Sequence, residues 1–219
     1  MSKNWEDYLP EVLIEADGCP EQVAINAVRN AAIEFCTMSE SWRAELDPLN
    51  IAVDEAEYPL DIPSGSQVII LRWGRLIDAN GGKSKLTTTD EDMLDASEGR
   101  LVWRTLTGTV EWIYMIDEST ARIVRIPETA VTNGLIVGVT LAPTRDSYEG
   151  PDYLYNKWVE EIAHGAKMRL LNMKTRDWYN APAAAQCKTA FYRGVNRAKI
   201  RASRNSTKGR RQAAMRPIA

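Results

Sequence analysis

One histidine, three cysteines and two phenylalanines are all that these 219 residues contain of those types. Each scarcity removes a class of chemistry. His164 with Cys19, Cys36 and Cys187 cannot make a structural zinc site of the usual ligand spacing. An odd cysteine count, behind a polar and acidic Met1–Pro10 unlike a secretion signal, points to reduced, buried thiols and synthesis in a cytosol. No apolar run approaches the roughly 20 residues that a membrane-spanning helix requires.

Catalytic motifs are missing too. There is no G-x-G-x-x-G, G-x-S-x-G or H-E-x-x-H. "NGGKSK" resembles a phosphate loop only superficially, because Ile77 stands where the leading glycine belongs, so a β-turn is expected. His164, in "EIAHGAK", reads as a satisfied helix histidine, with no nucleophile in an identifiable motif beside it. Asp90, Glu91, Asp92 and Asp95 read as the solvated face of a short helix; metal-dependent hydrolysis through them is the enzymatic alternative. The expectation is a protein that is not an enzyme and carries no catalytic, cofactor or metal site.

What the sequence does have is segregated charge. Residues 1–150 hold 12 Lys and Arg against 26 Asp and Glu, a net of −14, whereas residues 151–219 hold 15 against 4, a net of +11. From Lys188 to Ala219 there are ten basic residues and no carboxylate. Such a dipole suits an assembly in which the basic end of one body meets an acidic surface of another. Seven tryptophans add contact area with a polar handle, mostly as core and loop anchors.

Hydrophobic period divides the chain. Ala24, Val28, Ala31, Phe35, Met38 and Trp42 recur every three or four residues after Pro20, predicting one amphipathic helix from Pro20 to Trp42. The period then falls to two in "QVIILRWGRLID", "TVEWIYMID", "ARIVRIPE" and "GLIVGVTLAP". Val110, Trp112, Tyr114 and Ile116 are expected on one strand face, and Leu135, Val137, Val139 and Leu141 on another. Short links leave little room for parallel crossovers, and "DEDMLDASEG" reads as one surface helix. Helical period returns with Tyr155, Trp158, Ile162, Ala166, Leu170 and Met173, then with Ala184, Cys187, Phe191, Val195, Ala198 and Ala202.

The fold expected is α+β: an antiparallel helical bundle of N- and C-terminal helices, an inserted, mainly antiparallel β-subdomain, and an extended C-terminal arm. The boundaries are residues 1–48 and 146–203 for the bundle, 49–145 for the insertion and 204–219 for the arm.

The arm has three readings. Its charges could neutralise phosphates of DNA, although it has no aromatic residue to stack a base and no reading module before it. A membrane surface would need a richer apolar face. Met215, Pro217 and Ile218 among arginines instead suit an acidic-walled groove on a protein. A tail without function is the remaining possibility.

Three stretches carry a resemblance: "GCPEQVAINAVRNAAIEFCTMSESWRAELDPLNI", "EYPLDIPSGSQVIILRWGRLI" and "LAPTRDSYEGPDYLYNKWVEEIAHGAKMRLLNMKTRDWYNAPAAAQCKTAFYRGVNRAKI". Together they resemble the head-to-tail adaptor (connector) proteins of tailed bacteriophages. The resemblance implies a virion structural protein of the neck between capsid and tail, made in the host cytoplasm. It implies a homo-oligomeric ring, usually of twelve copies, that seats on the portal protein, extends the DNA channel without sequence-specific contact and receives tail or nozzle proteins. It also implies that Arg201, Arg204, Lys208, Arg210, Arg211, Met215, Arg216, Pro217 and Ile218 dock on the portal, and that the β region meets tail components. A DNA-binding accessory protein using the same arm is the alternative.

Overall fold

The computed structural model of the chain describes residues 2–78 and 81–204. The chain begins with β1 (Ser2–Asn4), a 3-10 turn (Trp5–Tyr8), α1 (Leu9–Leu13) and α2 (Glu21–Ser39). The strands β2 (Arg43–Glu45), β3 (Leu49–Ile51), β4 (Glu57–Pro59), β5 (Ser66–Ile77) and β6 (Lys83–Thr88) follow. Next come α3 (Glu91–Glu98), a 3-10 turn (Val102–Arg104), β7 (Trp112–Met115), β8 (Thr120–Val124), β9 (Val131–Pro143) and β10 (Glu149–Pro151). The described part closes with α4 (Asp152–Leu170) and α5 (Ala181–Ser203).

The architecture is α+β, with five helices and a curled, mainly antiparallel sheet. Strand order is β2-β9-β5-β6-β7-β8-β4, with β3 also paired to β9, and β1 and β10 form a separate two-stranded ribbon. One pairing departs from expectation: β6 and β7 run parallel, Thr87 facing Trp112 and Thr88 facing Ile113. The crossover that allows this is α3 and its following turn, an excursion long enough to reverse the chain twice.

Apolar stripes place the helices. Ala24, Val28, Ala31 and Phe35 of α2, Trp158, Ile162, Ala166 and Leu170 of α4, and Ala184, Cys187, Phe191, Val195 and Ala198 of α5 are buried in one shared cluster. Phe35 lies 5.5 Å from the Trp158 ring and 6.3 Å from Phe191, so the three helices meet at aromatic contacts. Two positions correct the predicted α2 stripe. The helix stops at Ser39, Met38 is exposed, and Trp42 packs from the loop beyond. The stop is Glu40, held left-handed at φ 52°, a cap conformation that usually draws Gly or Asn. Its carboxylate pairs with Arg72 of β5 at 3.1 Å, and its carbonyl accepts from Arg43 Nε at 3.2 Å, so tertiary contacts fix this end.

The sheet curls around a second cluster, in which Leu135, Val137, Val139 and Leu141 of β9 are buried with Val68, Leu86, Ile113 and Ile123. Ala142 of the same strand belongs instead to the helical cluster, so β9 is buried on both faces along its second half. That double burial explains the near-continuous apolar run there. The expected face of Val110, Trp112, Tyr114 and Ile116 breaks up. Only Trp112 and Tyr114 lie within β7, packing with Leu94, Trp103 and Val124, while Val110 joins the sheet cluster and Ile116 is exposed.

Candidate assembly surfaces

The carboxylates around α3 are structural. Asp90 caps the helix by accepting from the Met93 N–H at 2.8 Å. Glu91 pairs with Arg104 at 3.3 Å and accepts from Tyr114 Oη at 3.1 Å. Burial, then this carboxylate, pushes the Tyr114 phenol up to about 12. Asp95 accepts from Trp103 Nε1 at 2.7 Å and from the Leu101 N–H at 3.2 Å. These three thus diverge to separate partners, Asp92 is exposed, and among the described residues no group of three or more His, Cys, Asp or Glu could hold a metal ion.

Those two donors, Trp103 first, hold the Asp95 carboxyl below the usual aspartate range. A depressed carboxylate contributes stability that is present above its unfolded value of roughly 4 and lost as pH falls through its folded value. Asp95→Ala is expected to remove this component. Thermal midpoints of the variant and the parent will then converge between pH 7 and pH 3, which melting curves at the two pH values check.

His164 is part-buried in α4, and its Nδ1 finds no protein partner, correcting the expectation of a satisfied histidine. Burial, then the nearby Lys167, holds its pKa down, so the ring is neutral at neutral pH. Cys19, Cys36 and Cys187 are all buried free thiols, and burial pushes each thiol up. Between β5 and β6 the Gly82 N–H donates to Asp78 Oδ1 at 2.8 Å; the β-turn expected in "NGGKSK" involves Asn80, which with Ala79 lies outside the described residues.

The basic surface is better defined. Asn180 caps α5 by accepting from the Ala183 N–H at 3.2 Å, and Pro182 sits in its first turn, where a missing N–H costs nothing. The inward stripe leaves Lys188, Arg193, Arg197, Lys199 and Arg201 exposed on the other sides. Arg197 pairs with Glu161 of α4. Of the residues expected to dock, Arg201 occupies the last turn of α5 and Arg204 its C-cap, both exposed, where cations favour the negative end of the helix. Lys208, Arg210, Arg211, Met215, Arg216, Pro217 and Ile218 lie outside the described residues.

Sequence reasoning missed Ile200, which is 54% exposed among these cations. Its signal was available: it falls outside the inward stripe, seven residues after Arg193. The N-terminal segment was missed as well. Around an Ile14 that is 79% exposed stand Glu6, Asp7, Glu11 and Asp17, all at the surface. Glu15 there pairs at 2.8 Å with Lys167, a buried lysine of α4, and Lys167 first holds its carboxyl down.

Separate surfaces of opposite charge, each with an exposed aliphatic side chain, are features of a protein that associates with other chains. The sequence model of the SU10 adaptor protein family matches residues 5–217, almost the whole length, and the chain belongs to that family. It is a phage adaptor, a structural protein of the virion, as the resemblance to head-to-tail adaptors implied. No curated protein matches the sequence. Among the described residues no helix is long and apolar enough to cross a membrane.

Proposed function

We propose that the chain is the ring-forming subunit of a phage neck, about twelve copies seating on the portal, prolonging its DNA channel and presenting a platform to tail or nozzle proteins. Membership of the adaptor family over residues 5–217 carries this reading. In it, α2, α4 and α5 form the bundle of each subunit, the β-rich insertion faces the tail components, and the segment from Arg201 through Arg204 to Ile218 straps onto the portal. The charge division supports it. An acidic body bordering the channel does not hold DNA, whereas an arm with ten basic residues upstream and within it finds acidic protein walls.

The test is removal of residues 205–219. The truncated chain is expected to fold, because every packed side chain of α5 precedes the cut, and to lose co-sedimentation with portal rings. Undiminished portal binding by the truncated chain would overturn the docking assignment. Salt-dependent duplex binding, abolished by changing Arg201, Arg204, Arg210 and Arg211 to Ala, would favour the DNA-binding accessory reading in its place.

A further inference from the structure

One face of α5 stays exposed in the described chain. Arg193, Arg197 and Ile200 stand at i, i+4 and i+7 on its C-terminal half, opposite the buried Phe191, Val195 and Ala198. Arg193 has no carboxylate partner among the described residues, and Arg197, though paired with Glu161, keeps 63% of its side chain exposed. Lys199 and Arg201 flank the same half, also exposed.

A face of opposite sign lies on the first turn and α1. Trp5, Tyr8, Leu9 and Val12 point into the helical cluster, which turns Asp7, Pro10, Glu11 and Ile14 outward at i, i+3, i+4 and i+7. Glu6, Glu11, Asp17 and Glu21 are exposed and without an ion-pair partner among the described residues. The Glu15 carboxylate next to Ile14 reaches Lys167 of α4 and lies 3.8 Å from the Cys187 sulfur of α5. That contact fixes the α1 face near the N-terminal half of α5. From Cys187 to Ile200 the helix rises roughly 20 Å. The two faces of one chain are therefore held apart along more than half of α5.

We infer that these faces are the two halves of one contact between neighbouring copies: the Arg193–Ile200 face of one subunit on the α1 face of the next, with Ile200 against Ile14. The inference rests on the ring reading above and names the surfaces that close it. Charge selects this pairing. Basic on basic or acidic on acidic would repel, so each basic face meets an acidic one, and passed head-to-tail from copy to copy this contact builds the ring read above, where a reciprocal pair would stop at a dimer. Exposed ion pairs around two aliphatic side chains make a weak contact singly. Many such contacts held on one portal surface become strong together, so the subunit stays dispersed until a template gathers it.

The test is disulfide trapping in assembled neck particles whose subunit carries I14C and I200C, the native thiols being buried. Oxidation is expected to give a ladder of dimers, trimers and larger species, while either single cysteine leaves monomers. R193E/K199E should reduce incorporation by about tenfold or more, and E11K/E21K on the same chain should restore it. Particles that incorporate the double-cysteine subunit without any 14–200 crosslink would overturn the pairing. Absence of the unaltered subunit from particles would overturn the neck reading itself, which keeps the two failures distinct.

Discussion

Gly165→Ala is expected to lower the stability of the protein, although alanine is the better helix former by about 1 kcal/mol. Gly165 sits in α4 where Ala31 of α2 and Phe191 of α5 both press on its backbone. A β-carbon there would lie 2.7 Å from the Phe191 ring carbons and 2.9 Å from the Ala31 β-carbon. Both neighbours belong to buried helix faces, so neither can retreat without separating a helix pair. Overpacking of this kind costs about 1–3 kcal/mol, which exceeds the propensity gain. A midpoint lowered by roughly 2–6 °C is expected in thermal unfolding. Gly165→Leu, with three more carbons in the same gap, should prevent folding. Pairing Gly165→Ala with Phe191→Leu should recover part of the loss, a non-additivity that ties the effect to this contact. A Gly165→Ala variant that melts above the parent would mean the helices do not meet here.

Trp5→Ala is the second large change. The indole is almost wholly buried between the first turn and the chain entering β10. Its Nε1 donates to the Ser147 carbonyl at 3.0 Å, and the ring lies against Gly150, where any side chain would collide with it. Truncation of a buried aromatic to alanine costs about 3–5 kcal/mol. Trp5→Phe keeps most of the volume but loses the N–H donor together with the outer edge of the indole that lies against Gly150. Because Arg29 Nη1 also donates to the Ser147 carbonyl, at 3.2 Å, that oxygen keeps a partner and the cost should fall to about 1 kcal/mol. Urea midpoints of the two variants separate burial from hydrogen bonding. Similar losses for both would place the stabilisation in the N–H.

Neither residue declared its role in the sequence. Gly165 was visible only as the neighbour of the lone histidine, because a helical glycine does not say which ring it admits. The long helices were legible because their contacts lie on one side and repeat every turn. The three-residue strands β2, β3 and β4 were not, since a period of two needs more than three residues to show. The end of α2 depends on Arg72, more than thirty positions away in sequence. The parallel β6–β7 pair depends on where α3 returns the chain. For the assembly surfaces, composition located the basic end, whereas Ile14 and Ile200 needed the helix axes before their exposure could be known.

β9 has a consequence for how the molecule comes into being. Arg43 pairs with Thr140, and Ser66 pairs with Pro143, so the sheet cannot close until residue 143 has been made. Contacts so distant along the chain are slow to form, and β5 has only β6 beside it meanwhile. α4 and α5 follow only after that. The α1 face, which packs on α4 and reaches Cys187 of α5, waits for the same helices, so a nascent subunit completes its acidic and basic faces together and last.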